Sequence, residues 1–223
     1  SGMMDQTASS VGDAVAIDFA DPSAPIVRSV TANLEELGLA LCIVECGADH
    51  AALTGEYASI PQEMKQVAAF FGKKVLREVQ EEEVLKVMPQ LRRAVGDRAV
   101  LRALHFYADD RRAVEEADAL ERRDRDTFLQ LVKESGRSSW ELLQNITPAG
   151  AVEAQDMAIA LEAAEIALNG KGACRVHGGG FAGTIQAFVP TESVSEFCEK
   201  MELMLRKGCC HVLNIRPTGG IVL

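Results

Sequence analysis

Three short segments combine residue types and spacing that could do chemistry. The most conspicuous is His177-Gly178-Gly179-Gly180-Phe181-Ala182-Gly183. Glycines let backbone amides approach an anion closely, so such a loop can cradle a phosphate. Gly178, Gly180 and Gly183 satisfy G-x-G-x-x-G, but a strand rather than a helix is expected next and no acidic residue ends a second strand nearby, so the dinucleotide-binding reading fails. Alone, the loop is as well explained by a tight turn. The second segment, Gly2-Met3-Met4-Asp5-Gln6, puts a short carboxylate beside a glycine, a pairing that is ordinarily just surface. The third is Thr54-Gly55-Glu56-Tyr57. A tyrosine ahead of a helix can offer its hydroxyl to a sugar, or turn its ring inward and leave the oxygen wet.

The totals exclude several alternatives. The chain has 223 residues, 48% of them apolar, enough for a packed core. With 23 basic and 33 acidic residues the formal charge is −10. Nucleic acid is excluded as a partner, because phosphate contacts need a basic patch. Arg92-Arg93 and Arg122-Arg123 are flanked by acidic residues and read as solvated helix faces. No apolar run approaches the ~20 residues of a membrane span. The six cysteines form no C-x-x-C pair and sit mostly in apolar runs, as reduced core thiols of a cytoplasmic protein would. The four histidines form no close pair, so no metal site is expected.

The elements that must position these segments follow from periodicity. Strands are predicted at 14–19, 26–30 and 39–44, the last a continuous apolar run after Gly38. A helix is expected over 61–71 with Pro61 in its first turn and Val67, Phe70 and Phe71 on one face. Residues 81–95 should be interrupted at Pro89. A long helix is predicted over 97–123 with an apolar stripe at Val100, Leu101, Leu104, Val114 and Leu120. Shorter helices follow at 127–133 and 138–144, with Gly136 as a breaker. Another spans 152–168 with Met157, Leu161, Ala164 and Leu168 inward, ending at Asn169-Gly170. Strands at 173–176 and 184–189 flank the glycine loop. Ser193-x-x-Glu196 reads as a capping box opening a helix to Arg206, and 209–215 is a final strand. Strands, then helices, then strand–helix–strand imply an α+β fold with helices packed on a mostly antiparallel sheet.

In order and spacing, G-x-M-D-Q, then G-E-Y some fifty residues later, then R-V-H-G-G-G-F-A-G, resemble the galactokinases of the GHMP kinase superfamily. Ala48-Asp49-His50 and Ala51-Ala52-Leu53 sit where that family connects a strand to a helix at the sugar site. Glu134-Ser135-Gly136-Arg137-Ser138 looks like its M-x-x-S-H-x-S-L segment, with Gly136 where histidine is usual. Gly172 to Gly183 looks like the third GHMP motif, with Ala182 for a glycine and Thr184 for a cysteine.

The resemblance implies a GHMP C-terminal domain, a ferredoxin-like α/β sandwich, over 31–223, with 1–30 a remnant of the N-terminal lobe. It implies transfer of the ATP γ-phosphate to the anomeric hydroxyl of galactose. Asp5 would accept or orient the proton of the attacking hydroxyl, and such a group need not titrate near neutrality. Tyr57 and the backbone of Gly2 would contact the sugar, and Gly178, Gly179 and Gly180 would line the phosphate side. Glycine precedes M-D-Q in the family, so Gly2 reads as native sequence and the chain as beginning in mid-protein. The family's P-x-x-x-G-L-S-S-S-A segment, which wraps ATP phosphates and supplies a Mg²⁺ ligand, is not among these residues. The N-terminal Arg, Glu, His and Asp that grip galactose are not either. Catalysis is therefore expected to need the N-terminal lobe as partner, along with galactose, ATP and Mg²⁺. Two other readings stay open: a non-catalytic sugar sensor on the same fold, and a different GHMP small-molecule kinase.

Overall fold

The computed structural model describes residues 3–21, 23–31, 33–47 and 53–220. Its centre is a four-stranded sheet. The apolar run after Gly38 forms β3 (Leu39–Glu45), and the segments flanking the glycine loop form β4 (Ala173–Val176) and β5 (Thr184–Pro190). The last strand is β6 (Cys210–Leu213). The order is β4-β5-β3-β6 with every neighbour antiparallel. Helices intervene between β3 and β4, a tight turn joins β4 to β5, and one helix joins β5 to β6. That is the β-α-β-β-α-β pattern of ferredoxin-like folds, and the α+β expectation holds.

Strand alternation sends side chains to both faces, and helices cover both. Cys174 and Ala187 face α7 (Asp156–Leu168) and α8 (Val194–Met204), in a core with Met157, Leu161, Ala164, Phe197 and Met201. The next pair, Ala173 and Phe188, faces the opposite way, toward Phe128, Leu131 and Val132 of α6 (Arg125–Ser138). The rings of Phe128 and Phe188 meet edge to face at 4.8 Å. A third core is purely helical. It joins α2 (Thr54–Phe70), α3 (Glu81–Lys86), α4 (Met88–Val95) and α5 (Asp97–Glu121) through Val67, Val84, Leu91, Val100 and Ala103.

Several local expectations are corrected. Helix α2 begins at Thr54, with Pro61 inside it. Proline removes one intrahelical hydrogen bond there, and the packing of Val67 and Ala68 outweighs that loss. Phe70 lies outside the core, at 41% exposure. In α5, Val114 is exposed, and small residues such as Ala99, Ala103, Ala117 and Ala119 take the buried stripe instead. Gly136 does not break α6. A Cβ there would stand 3.1 Å from both the Cβ of Arg175 and the carbonyl of Cys174, so glycine is what lets α6 lie against β4. A separate π-helical turn follows at Ser139–Leu143. Ser193 makes no side-chain cap, and Glu196 pairs with Lys200 instead.

Residues 3–21 and 23–30 form a satellite. Helix α1 (Met3–Val11) leads into the antiparallel pair β1 (Ala14–Asp18) and β2 (Ile26–Val30). Arg28 reaches Asp118 of α5 at 2.9 Å, and Arg77 bridges Asp18 and Asp110. The far end of the chain returns here. Asp13 N–H donates to the Arg216 carbonyl and Gly220 N–H to that of Ser10.

A polar seam runs between α5, α6 and β4. His105 Nδ1 lies 2.9 Å from Ser138 Oγ, and Asp109 accepts from Ser135 and Arg112. Burial pushes the Glu116 carboxyl up to about 7, with Arg175 and Arg112 pulling down and Asp109 adding to the rise. Unfolded, the group titrates near 4.5, so its contribution to stability is full below that pH and is lost as pH climbs through about 7. Glu116→Gln should therefore stabilise the protein at pH 8, by roughly 2–3 kcal/mol, and change little at pH 4.5. Urea unfolding of both proteins across this range measures the difference, and parallel pH profiles would refute it.

Candidate functional site

The turn between β4 and β5 is shaped by its glycines and by one asparagine. His177 N–H bonds the Thr184 carbonyl at 3.1 Å and closes the hairpin. Inside it, Gly180 (φ +83°) and Phe181 (φ +60°) both adopt left-handed backbone, which costs a side-chain-bearing residue such as phenylalanine. The strain is held by Asn145, just past the π-helical turn. Its carbonyl accepts the Phe181 N–H at 2.5 Å, and its Nδ2 donates to the Gly179 carbonyl at 3.2 Å. A Cβ on Gly180 would stand 2.1 Å from the Asn145 carbonyl oxygen, so no other residue fits there unstrained.

Tyr57, near the start of α2, closes over this turn. Its hydroxyl donates to the Gly180 carbonyl at 2.8 Å, and its ring meets Phe181 edge to face, centroids 5.6 Å apart. Burial raises its phenol above the ordinary range. Beside it Glu56 accepts the Ala149 N–H at 2.9 Å. Behind the wall lies Arg102 of α5, with 0% exposure. It donates to the Leu143 carbonyl, Ser59 Oγ and Glu63 Oε2 at 2.9–3.0 Å, bracing α2 against the 143–145 segment. Gly178 and Gly179 remain exposed on the outer side.

Of the residues singled out in the sequence, Tyr57, Gly179 and Gly180 come together, and Gly178 lies on the same turn. Asp5 lies exposed in the first turn of α1, whose packing is with β1 and residues 218–220. Gly2 and the 48–52 segment lie outside the described residues. The larger hollows are elsewhere: one of about 460 Å³ lined by Arg125, Lys133, Lys171 and Glu192, and one of about 520 Å³ lined by Trp140, Glu165 and Arg175. Their walls carry mainly long charged side chains. Sequence reasoning missed Asn145 and Arg102. The only signal was a polar pair, Gln144-Asn145, set in the apolar run Leu142 to Ile146.

A ferredoxin-like sheet with this turn clasped by a helix from the β3–β4 crossover is a fold shared with solved kinases of the GHMP type. The chain is similar to Lactococcus lactis galactokinase, solved in complex with galactose, with a TM-score of 0.75, 20% identity, and 98% of this chain and 55% of that one covered. It is also similar to L. major mevalonate kinase, solved with R-mevalonate, with a TM-score of 0.58, 11% identity, and coverage of 97% and 53%. No family model matches the chain. In sequence it is 30% identical to a curated galactokinase of Actinobacillus pleuropneumoniae over 193 residues, 86% of this chain and 47% of the relative. It is 31% identical to that of Glaesserella parasuis serovar 5 over 157 residues, 70% of this chain and 39% of the relative. The chain matches a C-terminal portion of the galactokinases and spans about half the length of the curated relatives it matches. No helix among the described residues is long and apolar enough to cross a membrane.

Proposed function

We propose that this chain is the C-terminal half of a galactokinase, which transfers the γ-phosphoryl group of ATP to the anomeric hydroxyl of galactose when completed by an N-terminal lobe. The observation that carries the reading is the hydrogen bond from Tyr57 to Gly180, which joins two motifs 123 residues apart into one wall. In this reading residues 1–30 belong structurally to the N-terminal lobe and 31–223 form the C-terminal domain. Asp5 accepts or orients the proton of the attacking hydroxyl, and Gly2 contacts the sugar through its backbone. Tyr57, its own proton committed to Gly180, meets a sugar hydroxyl as acceptor. Gly178, Gly179 and Gly180 face the phosphates. Phosphoryl transfer rests on positioning and charge stabilisation, so a rigid wall is a direct contribution.

Magnesium is a hard cation that wants carboxylate oxygens. The turn offers amides and carbonyls, and Glu56 is engaged by Ala149, so the residues around it do not fit a Mg²⁺ site; the proposal assigns its ligands to the N-terminal lobe. The reaction is proposed to run in the cytoplasm, where ATP is available and thiols stay reduced.

The full-length protein should produce ADP when given galactose and MgATP. Galactose binding without turnover would favour the sensor, and turnover only with another small-molecule acceptor would favour a different GHMP kinase. Absence of both binding and turnover would overturn the reading. Tyr57→Phe removes the bond to Gly180 and the one to the sugar; the second, worth about 1 kcal/mol, should raise the KM for galactose roughly fivefold. An unchanged KM would remove Tyr57 from the sugar site.

A further inference from the structure

Three thiols that are distant in sequence meet in space. Cys42 lies in the middle of β3, with 0% exposure. Its cross-strand partner on β6 is Val212, and Cys210, two residues away, is its diagonal neighbour on the same face. Helix α8 covers that face through Phe197 and Met201 and sets Cys198 over the pair. The sulfurs of Cys42, Cys198 and Cys210 all lie within 4.8 Å of one another, with Cys198 and Cys210 at 3.2 Å. Cys198 and Cys210 are half-buried, so the cluster opens to solvent on one side. The thiols of Cys46 and Cys174, by contrast, turn to the carbonyls of Val44 and Leu161.

Three sulfurs bound to one ion at about 2.3 Å stand roughly 3.8–4.0 Å apart, a spacing this cluster reaches with a small parting of Cys198 from Cys210. All three ligands are soft, and soft thiolates select Zn(II) and Cu(I) over hard cations. We propose that Cys42, Cys198 and Cys210 form a binding site for a thiophilic d¹⁰ metal ion, with Zn(II) as the preferred occupant. Each ligating thiol releases its proton to solvent as the sulfur–metal bond forms. Burial holds the Cys198 thiol above its ordinary range, a hydrogen bond with Cys42 does the same for Cys210, and the negative charge of Glu202 adds to both, so the ion must displace their protons. The divalent ion is favoured, because three thiolates leave one net negative charge around Zn(II) and two around Cu(I). The solvent-facing side admits a water as fourth ligand. The site ties α8 to the β3–β6 edge, on the face of the sheet that carries α7 and α8.

The test is anaerobic titration of the reduced protein with Zn(II) against a chromophoric chelator, and with Cu(I) against bicinchoninate. One equivalent of Zn(II) is expected. Cys198→Ala and Cys210→Ala should each weaken binding by at least about tenfold, while Cys46→Ala leaves it unchanged. X-ray absorption of the zinc-loaded wild-type protein should count three sulfurs at about 2.3 Å, a readout independent of how any variant folds. Tight Cu(I) with no Zn(II) binding would overturn the preference for zinc. Failure to bind either ion, or binding indifferent to Cys198 and Cys210, would overturn the site.

Discussion

Asp5→Ala in the full-length protein is expected to lower galactose-dependent kcat by about 10²–10⁴, the range a positioned proton acceptor contributes, with the KM values moving only a few-fold. The structure makes the experiment clean. Helix α1 buries no residue, and Asp5 is exposed in its first turn. Loss of a first-turn carboxylate costs a surface helix about 0.5 kcal/mol, far too little to unfold the domain. A collapse of turnover with intact circular dichroism and retained galactose binding would therefore report chemistry. Asp5→Asn, which keeps shape and loses the charge, should behave the same way. Turnover surviving in either variant would take Asp5 out of the mechanism.

The second large effect is structural. Gly180→Ala forces a Cβ to 2.1 Å from the Asn145 carbonyl, at a φ of +83° that already disfavours any side chain. Both neighbours are backbone or buried, so nothing yields cheaply. A loss of at least about 3 kcal/mol is expected, in the range of the severe steric substitutions. Gly178→Ala is the matched control: its φ is +71°, but a Cβ there meets nothing within 4 Å. It should cost only the backbone penalty, about 1 kcal/mol. Equal losses for the two, measured by urea unfolding, would mean that close approach to Asn145 is not what demands glycine at position 180.

Much of this fold was legible from periodicity because the apolar runs are short and sharply bounded. β3, β4 and β5 each follow or precede a glycine, and Met157, Leu161, Ala164 and Leu168 face inward as their spacing implies. What escaped was set by tertiary contacts. Pro61 looked like a start signal, but core packing extends α2 seven residues before it. Gly136 looked like a breaker, whereas it is a point of close approach between α6 and β4. The candidate site was half visible. Tyr57 and the glycines announced themselves by type, but Asn145, which holds the turn, carries no motif of its own. The three-thiol cluster was invisible for the same reason: cross-strand register and a helix docking, not spacing along the chain, bring Cys42, Cys198 and Cys210 together.

The bonds from Asp13 to Arg216 and from Gly220 to Ser10 have a kinetic consequence. They can form only once some two hundred intervening residues have found their places, so their closure entropy is met late. With no buried side chain of its own, α1 then belongs to the last region to order and the first to open, on a free-energy scale well below that of the sheet. The helix that presents the proposed proton acceptor is thereby a reporter of whether the whole chain has finished folding.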